Sequence, residues 1–177
     1  LFDFLKFSFS KVYFINYLIF TPFFMASKLK LIEAGKVKEM FISKFMKGLS
    51  TVQIEVLAQA YFNQNHEKLI YSKANTYIKE ISNYHDKFIV SASIDFWLKP
   101  FADYYGMGLI CTQSAFDEQG IFTGKFASKN CNHEVKKIRI ETEIDLTFYD
   151  EIIAFGDTKG DEAMFSISTQ TNFRYFN

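Results

Sequence analysis

The sequence predicts an α/β fold, a mostly parallel sheet with helices on both faces, led by an all-helical segment. Three observations carry that expectation. Residues 1–84 place apolar side chains at helical spacing. Residues 85–177 alternate short β-rich runs with helical ones, the pattern of βαβ units and so of parallel strands. Two apolar runs end on small polar residues, Val90-Ser91-Ala92-Ser93 and Phe155-Gly156-Asp157, and sheets of this kind bind ligands at the carboxyl ends of their strands.

Along the first half, Thr21 before Pro22 reads as an N-cap followed by proline at the first helical position, and Gly35 and Gly48 read as helix stops. Ser50 or Thr51 caps a further helix with Ile54, Leu57, Ala58 and Tyr61 on one face. Three or four helices result, packed as a small bundle. The boundary with the second half is expected at Tyr84-His85-Asp86. Beyond it come a strand over 87–91, a helix over 95–105 and a strand over 108–113. A hairpin over 114–126 turns on Asp117-Glu118-Gln119-Gly120. A charged helix over 133–143, a core strand over 151–155 and a short helix over 161–167 complete the pattern.

Composition limits the function classes. Lys+Arg and Asp+Glu balance at 20 each, so no overall field draws the chain to nucleic acid. A hydrophobic share of 49%, with 22 Phe and 10 Tyr, excludes general disorder. Cys111 and Cys131 lack zinc-ligand spacing and read as reduced cytoplasmic thiols. The tract from Val12 to Ala26 is apolar apart from Asn16, Thr21 and Pro22 and lies between Lys11 and Lys28. It is shorter than the run of about 20 apolar residues that a span needs. Core of the helical segment is therefore expected first, a membrane-facing or lipid-accepting surface second, and a true span last. The chain opens on Leu1 in what reads as the middle of an element, without a signal-peptide pattern, so further residues upstream are expected.

The chemistry concentrates in three places. Asp157 and Asp161, four residues apart around Gly156 and Gly160, lie where a strand opens into a helix. Magnesium needs one or two carboxylates, waters and a substrate phosphate, which this pair can serve. The competing expectation makes Asp161 an N-cap and Asp157 a turn residue. Ser91 and Ser93 end the 87–91 strand, where a hydroxyl and backbone N–H groups can hold phosphate oxygens, although a strand-end serine and an N-cap would look the same. Lys136 and Lys137 belong to a charged helix whose usual role is a solvated face. One of them turned inward would balance a phosphoryl group.

Taken in chain order, Ser91, Lys136 and the Asp157 to Asp161 pair resemble the haloacid dehalogenase superfamily of phosphohydrolases, in its phosphoserine-phosphatase-like branch (subfamily IB). The likeness extends to phosphatidylglycerophosphate phosphatases. Phe122-Thr123-Gly124-Lys125 and Asn130-Cys131-Asn132 are similar to the hairpin and lead-in that precede the family's lysine. The resemblance implies a Rossmann-like core over 85–177 with a helical cap over 1–84. It implies that Ser91, with Ala92 and Ser93, binds the phosphoryl group, that Lys136 rather than Lys137 balances charge, and that Asp157 and Asp161 hold Mg²⁺. The family's first motif, Asp-x-Asp-x-Thr, supplies nucleophile and acid/base. None of the nine aspartates here has a second one two positions on, and Asp3-Phe4-Leu5 only mimics the motif. The resemblance therefore puts the nucleophile upstream of Leu1 and leaves this stretch inactive alone.

The expected function is Mg²⁺-dependent hydrolysis of a phosphomonoester through an aspartyl-phosphate. Its substrate is a small phosphometabolite or a lipid phosphate, and its setting the cytoplasm or the inner face of a membrane, touched through the cap. The alternatives are a non-catalytic phosphate-binding or regulatory module of the same fold, and a structural membrane-associated helical protein.

Overall fold

The computed structural model describes residues 1–81 and 85–176. Five helices come first: α1 (Phe2–Ser8), α2 (Ser10–Lys28), α3 (Ala34–Met46), α4 (Thr51–Leu69) and α5 (Ser72–Glu80). Two of the three long ones, α3 and α4, have a local cause. A capping box starts α4, where Ser50 Oγ accepts from Gln53 N and Gln53 Oε1 accepts from Ser50 N. Gly48, at φ +89°, ends α3 in a conformation that other residues rarely adopt. α2 ignores the turn signal expected within it. Thr21 and Pro22 lie inside the helix, with Thr21 Oγ1 donating to Tyr17 O at 3.0 Å. Packing of Phe20 and Phe24 on Phe41 of α3 outweighs the proline's lost hydrogen bond. Gly35 is likewise no stop: it sits in the first turn of α3, where a side chain would press within 3.0 Å of Asn130.

The second half alternates as expected: β1 (Phe88–Ile94), α6 (Asp95–Tyr105), β2 (Gly108–Thr112), β3 (Ser114–Phe116), β4 (Phe122–Phe126), α7 (Glu134–Glu143), β5 (Ile153–Gly156), α8 (Glu162–Phe165) and β6 (Gln170–Phe173). A single 3₁₀ turn, Lys159–Asp161, links β5 to α8. β1 pairs with β2 in parallel and β5 with β6 in parallel, while β3 and β4 form the antiparallel hairpin. The fold class is the one expected. β6 is an addition, because Gln170-Thr171-Asn172 has no apolar alternation to announce a strand. Of the boundary expected at Tyr84-His85-Asp86, Tyr84 lies outside the described residues, and β1 opens two residues after Asp86.

Two apolar cores result. The larger joins Phe4, Leu5, Phe41, Ile42, Met46, Ile54 and Tyr61 of the helical half to Ile94, Phe96 and Phe122 of the second half. The smaller gathers Ile110 of β2, Ile140 of α7, Ala154 of β5 and Met164 of α8, with Val90 of β1 against them. That second core fixes the carboxyl ends of β1 and β5 beside the first turn of α7.

Candidate active site

β1 ends in a bulge. Its register against β2 slips between Ser91, opposite Cys111, and Ile94, opposite Thr112, so Ala92 and Ser93 swing out of the ladder. Hydrogen bonds hold the bulge: Ser93 N donates to Ser91 Oγ at 3.1 Å, and Thr112 Oγ1 donates to Ala92 O at 3.0 Å. Trp97 Nε1 donates to Ser93 Oγ at 2.6 Å, so Ser93 accepts one bond and keeps an O–H to donate. Ser91, accepting one bond, keeps its own O–H to donate.

Lys136 lies in the first turn of α7 and is buried, 7% exposed. Its ammonium donates to Val90 O at 3.3 Å, one residue before Ser91, and forms a buried ion pair with Asp161. Lys137 is half-buried and makes no ion pair among the described residues. Asp161, 5% exposed, closes the corner from the other side. Its Oδ2 accepts from Thr158 N at 3.0 Å, Thr158 Oγ1 at 2.9 Å and Asp157 N at 3.2 Å. Burial, the largest influence, pushes the Asp161 carboxyl upward, yet the Lys136 and Thr158 hydrogen bonds together hold it below the ordinary carboxylate value.

Both glycines of the loop lie in close approach, and at Gly156 no side chain fits without moving the loop. A Cβ on Gly156 would lie 2.7 Å from Asp161 Cβ, and one on Gly160 would lie 2.3 Å from Asn132 Oδ1. His133 N donates to Gly160 O at 3.1 Å and so ties this loop to the start of α7.

Asp157 differs from Asp161: it is exposed, and among the described residues only its backbone is engaged. Among the described residues no group of three or more His, Cys, Asp or Glu side chains could hold a metal ion. The donors present fit magnesium as part of a shell. Asp157 has free lone pairs, while those of Asp161 go to Lys136 and the loop, and magnesium accepts one carboxylate completed by water and phosphate. The Asp161 carboxylate is engaged by Lys136 and by the loop.

One residue escaped the sequence reading. Lys38 of α3 reaches across to the bulge, donating to Ala92 O and Asn130 Oδ1 and, at 3.4 Å, to Thr112 Oγ1. Burial lowers its ammonium to about 8. The available signal was its position, since residue 38 shares a helix face with Phe41 and Phe45. The two cysteines take no part: burial pushes Cys111 up to about 12 and raises Cys131, so both remain thiols.

Lys136 thus contacts both Val90, the residue before Ser91, and Asp161 of the aspartate loop, in the chain order Ser91, Lys136, Asp157 to Asp161. Residues 15–166 match the haloacid dehalogenase-like hydrolase family. The chain belongs to that family. Protein CicA of Caulobacter vibrioides is 30% identical to it over 148 residues, covering 80% of this chain and 64% of CicA. The chain therefore spans somewhat less than two thirds of that relative. A protein of unknown function from Bordetella pertussis Tohama I superposes with a TM-score of 0.74 at 16% identity, over 84% of this chain and 69% of that one. A probable phosphoserine phosphatase from Vibrio cholerae, unliganded, gives 0.65 at 14% identity over 87% and 46%. These likenesses establish the fold of a haloacid dehalogenase-like hydrolase.

Proposed function

We propose that this chain is the larger part of a Mg²⁺-dependent phosphomonoester hydrolase acting through an aspartyl-phosphate, with the nucleophile and acid/base on a segment upstream of Leu1. The observation that carries the reading is the contact of Lys136 with both Val90 O and Asp161. It links the serine strand, the basic helix and the acidic loop at one point. Ser91, with Ala92 and Ser93 beside it in the bulge, binds the phosphoryl oxygens, the Ser91 O–H donating. Lys136 offsets the charge that collects as an aspartate attacks phosphorus, and Asp161 holds that ammonium in place. Asp157 holds magnesium, which when bound neutralises phosphate charge. The helical segment, residues 1–84, acts as the cap over the core of residues 85–177 and selects the substrate.

Two substrate classes remain in view. A small cytoplasmic phosphometabolite is supported by the Vibrio cholerae neighbour's description as a probable phosphoserine phosphatase. A lipid phosphate at the inner face of a membrane is supported by the exposed apolar side chains of α2.

The test uses the longer protein with an upstream Asp-x-Asp pair. Mg²⁺-dependent release of phosphate from an aryl phosphate is expected, and Asp157→Asn should lower it by about a hundredfold. Unchanged turnover in that variant would remove the metal assignment.

A further inference from the structure

α2 is apolar on every side, yet only Tyr13 and Phe20 are buried. An all-apolar helix is normally covered on all sides. Here Phe14 is 59% exposed, Ile15 64%, Leu18 72%, Ile19 55% and Met25 53%. With Pro22 and Leu29 they form a stripe about 140° wide at 100° per residue, along a helix about 28 Å long. Single exposed apolar residues are ordinary, but a contiguous stripe of this size marks an interaction surface.

The surrounding charge selects the partner. From Phe4 to Ile32 the chain has four lysines, Lys6, Lys11, Lys28 and Lys30, and no aspartate or glutamate. All four are exposed, and Lys6 Nζ lies 5.5 Å from the ring centroid of Phe14, at the edge of the stripe. Lysines therefore stand at both ends of the apolar face. A second copy laid against this face would set lysine against lysine, which is unfavourable. The helix is also prepared for an apolar medium. Its polar side chains Asn16 and Thr21 donate back to its own carbonyls, at 2.9 Å to Val12 O and 3.0 Å to Tyr17 O, which meets the one donor of Thr21 and one of the two of Asn16 and lowers the cost of an apolar setting.

We propose that the outward face of α2 docks on an anionic lipid bilayer, with the helix lying in the interface plane. Among the described residues no helix is long and apolar enough to cross a membrane. The docking does not depend on the phosphate chemistry of the active site.

Co-sedimentation of the whole chain with vesicles tests this. Binding to phosphatidylcholine vesicles containing phosphatidylserine is expected to exceed binding to pure phosphatidylcholine by about tenfold or more and to weaken with salt. Ile15→Glu with Leu18→Glu should abolish it at unchanged helicity, because both positions are exposed in the fold. Lys11→Glu with Lys28→Glu should remove the preference for the anionic lipid. No vesicle binding, or wild-type binding by the Ile15→Glu, Leu18→Glu variant, would overturn the proposal. So would a dimer on size exclusion that the same variant dissociates, since a second copy would then cover the face.

Discussion

Lys136 and Asp161 neutralise each other in a corner that excludes water, and the cost of separating them is large. Removing one member of a buried pair strands the other charge, typically at about 3–5 kcal/mol, whereas replacing both by apolar residues costs far less. Asp161→Asn is therefore expected to lower the urea midpoint sharply, and Lys136→Met combined with Asp161→Asn, whose amide oxygen still accepts from Thr158 and Asp157, to recover much of the loss. Acid should act on the same contact. The Asp161 carboxyl is held below its ordinary value, so its contribution is complete above the unfolded carboxylate value and is lost as pH falls through the lower folded one. The acid limb of a stability–pH curve should accordingly flatten in Asp161→Asn. Part of this corner was legible from residue types, since aspartates around two glycines after a strand suggest an oxygen-rich loop. Which aspartate faces outward was not legible, because Asp157 and Asp161 differ only in what the fold brings against them.

Among the elements, α2 shows how a local signal can be overruled. Thr-Pro usually opens a helix, and nothing within the sequence of α2 tells that the chain is already helical on both sides. The decision came from Phe20 and Phe24, whose rings meet Phe41 at 5.1 and 5.2 Å between centroids. Proline in a helix interior costs about 3 kcal/mol relative to alanine, and Pro22 is exposed. Pro22→Ala is thus expected to stabilise the protein by about 1–3 kcal/mol, measured as a higher urea midpoint. An unchanged or lower midpoint would mean that the proline helps to shape the helix. By contrast, the start of α4 was readable outright, because Ser50 and Gln53 form a capping box using groups three residues apart.

At the scale of the whole molecule, one apolar core crosses the division between the halves. Phe41, 1% exposed, is ringed by Phe2, Phe20, Phe24 and Phe45, and its cluster continues to Phe96 and Phe122. Phe41→Ala should cost about 3–5 kcal/mol. Helical dichroism and the near-ultraviolet signal of Trp97, in α6, should fall at a common midpoint. Separate midpoints would mean that the halves unfold independently. The sequence by itself determined the succession of helices and strands and the chemical types at the strand ends, because periodicity, caps and turn residues act over a few neighbouring positions. Tertiary structure alone decided that Lys136 and not Lys137 meets Asp161, that Lys38 of a distant helix holds the bulge at Ala92, and that one face of α2 stays bare. Those outcomes depend on which surfaces pack together across dozens of residues, and burial and pairing of charge have no counterpart in the local order of the chain.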